Sequence, residues 1–200
     1  MTGRALVLPL LFTALAADAW AAPLEWNFRV LLDDQPIGQH RFSLSDAANG
    51  DRTLISDAEF AVKIIGITAY RYRHQAIEQW QGDCLRALAS TTDNDGKPSR
   101  VSADRDGALG DGCLMSFAYW NPALLTQTRL FNPQTGHIDT VQVRAAGNGT
   151  LTVRGAAVAA TRYRIVSAAP PIDVWYASNG DWIGLDSIVA GGRKLSYRLH

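Results

Sequence analysis

Apolar side chains recur at every second position over much of this chain, and that period confines it to β-strands. Trp26, Phe28, Val30 and Leu32 alternate with Asn27 and Arg29, and Phe60, Val62 and Ile64 alternate with Glu59, Ala61 and Lys63. The pattern returns in Tyr70, Tyr72 and His74 against Arg71, Arg73 and Gln75, then in Ile172, Val174 and Tyr176 and in Ile183, Leu185 and Val189. A two-residue period turns one face of each strand to a core and the other to water. Between the runs stand Asn49-Gly50, Asp95-Gly96, Asp106-Gly107, Asn148-Gly149, Asn179-Gly180 and Gly191-Gly192, which supply the positive φ of tight hairpin turns. Strands joined this way are antiparallel neighbours, and no helical period runs long enough to cross between parallel strands. The expected fold is all-β: a strongly curved antiparallel meander, or an open or half barrel, of roughly ten strands.

The first residues carry a different signal. Arg4 precedes the apolar run Ala5 to Ala17, and Ala19-Trp20-Ala21 places small residues where a signal peptidase cuts. The run is too short to span a bilayer, which takes roughly 20 apolar residues. The expectation is a signal peptide over 1–21, a mature start at Ala22, and a single antiparallel domain over 22–200, periplasmic or secreted, with no integral membrane span.

Lys and Arg number 19 and Asp and Glu 19. Formal neutrality argues against nucleic acid or an anionic membrane surface as a main partner, since a strongly basic face usually meets both, and leaves room for a local basic patch; no nucleic-acid partner is expected. In an oxidising compartment Cys84 and Cys113 read as a disulfide. Closing that loop contributes about 3 to 4 kcal/mol in the chain-entropy picture. The polar, glycine-rich stretch Asp93 to Gly112 lies between them, as a long hairpin or a mobile loop tied at its base.

No motif carries specific catalysis. The four histidines, His40, His74, His137 and His200, have no second ligand at zinc spacing, and Asp93 as the start of a calcium loop would put Pro98 where glycine is required. There is no G-x-S-x-G elbow and no phosphate-cradling glycine loop. No metal and no cofactor are expected, and the enzyme reading ranks below non-enzymatic ones.

Two stretches stand out. In AYRYRHQAIEQW a strand puts Tyr70, Tyr72, His74, Ala76, Glu78 and Trp80 on one side, an aromatic face with a few polar tips. Such a face suits a pocket that holds an apolar body and orients a polar end, and it equally suits tyrosines packed at the rim of a core. In CLMSFAYWNPALL, strand-like residues run to Trp120, where Asn121 is a favoured N-cap and Pro122 suits the first helical position. One short helical turn after Asn121 is expected, with Phe117, Tyr119 and Trp120 just before it as a plug or lid. Trp175 and Trp182 flank the turn at Asn179-Gly180 and read as a cross-strand aromatic pair.

TAYRYRH, CLMSFAYWNP, QTRLFNPQTG and the closing IDVWYASNGDWIGLDS, in that order behind a signal peptide, resemble a family of uncharacterised exported proteins of Gram-negative bacteria. The resemblance implies a periplasmic β-rich domain of unknown function and transfers no catalytic residue. By fold-level analogy, curved antiparallel sheets in that compartment are similar to carriers that shield lipoprotein acyl chains.

The leading expectation is therefore a binding or carrier module for an apolar or amphipathic, lipid-like small molecule. Tyr70, Tyr72, His74, Phe117, Tyr119 and Trp120 would be its ligand-binding residues, in a cavity of about 300 to 1,000 Å³. The alternative is a non-catalytic envelope interaction or structural protein whose protein partner is unidentified. The exported protein is expected to give an intact mass beginning at Ala22 and lower by two hydrogens than the reduced chain. A mass retaining residues 1–21, or one unchanged by reduction, would contradict the processing or the bridge respectively.

Overall fold

The structure is a computed structural model that describes residues 22–47, 49–65 and 67–200; the signal-peptide reading of 1–21 falls outside the described residues. The strands are β1 (Leu24–Leu32), β2 (Gln35–Asp46), β3 (Asp51–Ile64), β4 (Ile67–Gln81), β5 (Cys84–Asn94), β6 (Lys97–Asp104), and three short ones, β7 (Met115–Ser116), β8 (Arg129–Phe131) and β9 (Ile138–Thr140). They continue as β10 (Gln142–Val153), β11 (Ala156–Val166), β12 (Ile172–Ala177), β13 (Trp182–Val189) and β14 (Arg193–Leu199). No helix among the described residues is long and apolar enough to cross a membrane.

Eleven strands form one antiparallel sheet in the order β10-β11-β12-β13-β14-β1-β2-β3-β4-β5-β6. Each neighbours the next in sequence except at β14 and β1, where Phe28 faces Leu199 and Val30 faces Tyr197. The ends of the described chain thus meet inside the sheet, and its edges, β6 and β10, flank the inserted segment 105–141. The edges do not pair, so the sheet is the open, curved form of the expected meander.

The turn signals separate into two kinds. Gly50, Gly96 and Gly180 take φ of 81°, 79° and 87° between successive strands, as their Asn-Gly and Asp-Gly pairs predict. Asn148-Gly149 does not turn the chain. It lies within β10 beside a register shift between Ala145 and Asn148, and the β10–β11 turn is at Arg154-Gly155. Close approach explains this glycine: a Cβ on Gly149 would lie 2.9 Å from the Trp175 ring.

The segment 105–141 lies across one face of the sheet. Leu114, Met115, Leu124, Leu130 and Phe131 pack with Trp80, Leu85 and Leu88 in the main core. The Cys84–Cys113 disulfide, with Cα atoms 4.8 Å apart, tethers the segment at its start, and the Leu85 amide donates to the Leu114 carbonyl at 2.9 Å. Between the cysteines, β5 and β6 form a hairpin through Asp95-Gly96. The turn after Asn121 is a 3-10 helix, Pro122–Thr126, capped by the Asn121 side chain, which accepts from the Ala123 amide at 3.0 Å. The connection through that helix brings β8 beside β7 in parallel, the one departure from the antiparallel expectation among the described residues.

Trp175 and Trp182 are not a facing pair. A register shift at Trp175/Tyr176 sets Trp182 opposite Tyr176 and Trp175 opposite Gly184. Trp182 packs on Phe28, with ring centroids 4.3 Å apart, while the Trp175 indole donates to Asp186 at 2.8 Å. The bulge sends the two rings to different environments.

Gly38 marks another close approach, at the register shift between Val30 and Leu31 where β1 meets β2. A Cβ there would lie 2.0 Å from the Glu59 carbonyl oxygen, which is backbone and cannot swing aside. Gly38→Ala is expected to lower the unfolding free energy by about 3 kcal/mol or more, the upper end of overpacking costs, measured by urea denaturation.

Candidate functional site

Burial along β4 alternates as its sequence requires. His74, Ala76, Glu78 and Trp80 are buried, Tyr70 and Tyr72 are half-buried, and Arg71, Arg73, Gln75, Ile77 and Gln79 are exposed. Between this inward face and the inserted segment lies a cavity of ≈ 160 Å³. Its sheet side is His40 and Phe42 of β2, Leu54 and Ser56 of β3, and His74, Ala76 and Glu78 of β4. Its cover is Phe117, Tyr119 and Trp120, and the exposed Gln134 and Ala169 mark its mouth.

The cover is held in place by specific bonds. Tyr176 donates its hydroxyl to the Tyr119 carbonyl at 2.7 Å, and the Asn121 amide nitrogen donates to Asp83 at 2.8 Å. Trp80 and Trp120 meet edge to face at 5.4 Å, and the Arg52 guanidinium sits 4.7 Å over the Trp120 ring. At the mouth, the Ser90 hydroxyl donates to the Pro133 carbonyl and Asn132 donates to Asp139 at 3.1 Å. The Trp120 indole N–H is buried and has no hydrogen-bond partner among the described residues.

Besides Tyr119 of the cover and Asp139 near the mouth, three titratable side chains stand on the sheet side of this cavity. Glu78 accepts from the Trp80 indole at 3.0 Å and from the Ser116 hydroxyl at 3.1 and 3.0 Å. Burial pushes its carboxyl up to about 7, against the opposing pull of the Ser116 and Trp80 hydrogen bonds. His74 lies 2.8 Å from the Thr92 hydroxyl, and burial pushes it down to about 4. His40 lies 2.7 Å from the Ser56 hydroxyl; it keeps some surface toward the cavity while protein encloses it, and desolvation with the charge of nearby His74 pushes it down to about 3. All three are neutral over much of the acid-to-neutral range, and none joins an ion pair among the described residues. No three His, Cys, Asp or Glu side chains among the described residues are placed to hold a metal ion.

Of the six side chains singled out by sequence, four line this cavity: His74, Phe117, Tyr119 and Trp120. Tyr72 stands one position further along β4, its ring stacked on Phe60 at 5.2 Å and 6.4 Å from His74. Tyr70 lies beyond it and donates to Asn94 at 2.9 Å. Sequence reasoning passed over His40, Ser56 and Glu78 as site residues. Glu78 had a signal, an acidic residue at an inward position between Ala76 and Trp80. The signal for His40 is the alternation His40, Phe42, Leu44 along β2, where Leu44 is buried. A larger hollow of ≈ 660 Å³ lined by Asp57, Glu59, Arg73 and Arg100 is open to solvent on the outer face.

An open antiparallel barrel-like sheet with a capped, mostly apolar internal cavity defines the class. The chain belongs to the DUF6134 family, a domain of unknown function, whose model matches residues 28–200. The fold is similar to that of a β-barrel-like protein of domain of unknown function DUF1849 from Brucella abortus, at TM-score 0.61 and 11% identity over 90% of this chain and 96% of that one. LprF from Mycobacterium bovis aligns at TM-score 0.30 and 9% identity over 88% of this chain and 83% of that one, too low to support any argument. No curated protein matches the chain.

A carboxyl with a raised folded pKa holds its proton more tightly in the folded state. Its contribution to stability is present below about 4.5 and is lost as pH rises through about 7. His40 and His74 act oppositely: their contribution is present above 6.5 and is lost as pH falls toward about 3 and 4. Glu78→Gln is therefore expected to gain stability relative to wild type between pH 4.5 and 7, reaching about 3 kcal/mol. Urea titrations of both proteins across that range would read it, and a constant difference would mean that Glu78 does not titrate there.

Proposed function

We propose that this protein is an exported binding module that holds a small amphipathic ligand, or the end of a longer one, in the capped cavity. The observation that carries this reading is the cavity wall itself: an apolar enclosure on which Glu78, His74 and His40 stand neutral and unpaired by charge. Stability alone favours filling such a space with apolar side chains, since buried polar groups gain little on balance. The unpartnered Trp120 indole N–H adds a donor that a ligand oxygen would satisfy.

The volume narrows the ligand. At ≈ 160 Å³ the cavity is smaller than the range expected from sequence, because the inserted segment fills most of the sheet's inward face. An apolar cavity near 150 Å³ admits benzene, so a body of about six to nine heavy atoms fits. Phe42, Leu54, Phe117 and Tyr119 would pack it, and the neutral carboxyl or imidazoles would hydrogen-bond its polar end.

The geometry gives catalysis less support. Glu78 and His74 are four residues apart on one strand, about 13 Å, too far for both to reach one reacting bond. An export signal and a periplasmic or secreted location belong to the same proposal and rest on residues 1–21 of the sequence.

Native mass spectrometry of the protein from its exporting host, followed by solvent extraction, is expected to show a stoichiometric small amphipath. Ala76→Leu, which fills part of the cavity without touching its polar groups, should lower occupancy at least tenfold. A bare mass, together with no response of tryptophan fluorescence to millimolar benzoic or hexanoic acid, would overturn the proposal.

A further inference from the structure

The hairpin that joins β3 to β4 runs past its neighbours. β2 pairs with β3 only as far as Phe60, and β5 pairs with β4 only from Tyr72. Val62 to Ile64 and Ile67 to Tyr70 therefore pair with each other alone, as a two-stranded ribbon projecting roughly 10 Å at strand rise. Its base is braced by Asp95, whose amide donates to the Arg71 carbonyl at 2.8 Å and whose carboxylate accepts from the Arg71 amide at 3.3 Å.

The tip is apolar where folding would favour the reverse. Ile65 is 97% exposed and Ile67 74% exposed. Ile65 also takes φ of 50°, a left-handed conformation that a β-branched side chain strongly disfavours and that asparagine or glycine adopts readily. Exposure and backbone strain at one residue are both costs to the folded state. An exposed apolar side chain in a strained backbone conformation points to an interaction outside the molecule.

We propose that this tip is a membrane-contact element that inserts into the interfacial layer of a lipid bilayer. The exposed isoleucines crown a narrow projection, so a folded partner would need a deep apolar socket, whereas a bilayer accepts an apolar finger without one. Amphipathic elements enter that layer by about 5 to 10 Å. At that depth Ile65 and Ile67 would meet acyl carbon, and Tyr70, three residues behind Ile67, would lie at the interfacial level that tyrosine favours. Lys63 and Arg71, both exposed and in no ion pair among the described residues, would reach lipid phosphates. Of the carboxylates near the ribbon's base, Glu59 pairs with Arg73, while Asp93 and Asp95 are held at the base by the Gly96 and Arg71 amides and lie well behind the isoleucine tip.

The test is flotation of the purified protein with large vesicles of phosphatidylcholine and phosphatidylglycerol. Ile65→Asn removes the apolar side chain and suits the left-handed turn, so it should fold at least as stably as wild type, with equal or higher Tm. It should bind vesicles at least tenfold more weakly, the loss expected for one buried isoleucine. Ile67→Ser should weaken binding in the same direction, and Lys63→Gln should weaken it more on phosphatidylglycerol than on pure phosphatidylcholine. Residues 1–21, if retained, contribute equally to every variant. Absence of vesicle binding in wild type, or binding unchanged in the Ile65→Asn, Ile67→Ser double variant, overturns the proposal. So does concentration-dependent self-association that Ile65→Asn abolishes in a protein that ignores vesicles. Ala76→Leu tests the cavity and should leave vesicle binding unchanged, so the two proposals fail separately.

Discussion

A sheet of eleven strands that curls without closing has one apolar face, and what stands opposite is a small sheet of three short strands, β7-β8-β9, with the loops around it. The segment 105–141 is the cover. Its Leu114, Met115, Leu124, Leu130 and Phe131 supply the apolar surface that the inward sides of β4 and β5 need. Its position is fixed covalently at Cys113 and by hydrogen bonds at Leu114, Tyr119 and Asn121. The interrupted main sheet, the parallel pairing of β7 with β8 and the capped 3-10 helix all follow from a cover built of loops and short elements.

A cover of three short strands and loops does not match a curved sheet as evenly as a second full-length sheet would. Where it fits, around Trp80, Leu85, Leu124 and Phe131, the interior is closed. Where it lifts, between β2, β3 and β4 and Phe117 to Trp120, the cavity remains, and the inward positions facing it are His40, Ser56, His74 and Glu78. Hydroxyls serve these groups, Ser56 for His40, Thr92 for His74 and Ser116 for Glu78, and no charge neutralises them. Hydroxyl partners tolerate the neutral forms that burial imposes, which keeps the polar wall compatible with an apolar enclosure.

Parts of this arrangement were legible residue by residue. The inward face of β4 follows from the strand period, and the buried and exposed sides of Tyr70 to Trp80 fall as the alternation sets them. The turn after Asn121 follows from local cap chemistry, and the cysteine pairing from compartment and number. Other parts were not. Asn148-Gly149 has turn chemistry yet lies in a strand, because the proximity of the Trp175 ring, set by tertiary packing, excludes a side chain there. Trp175 and Trp182 part company through a one-residue bulge that no local pattern announces.

The sequence by itself determined which residues form strands, which side of each strand turns inward, where most hairpins reverse and how the helical turn begins, because these depend on neighbours a few positions away. Only the tertiary structure decided how deep each inward residue lies. Tyr70, Tyr72, His74 and Glu78 share one face of one strand, yet Tyr70 lies in the projecting ribbon, Tyr72 stacks on Phe60, and His74 and Glu78 face the cavity. A two-residue period specifies a face and carries no information about distance along it. That distance acquires meaning only when the curl of the sheet and the landing place of residues 105–141 fix what stands opposite.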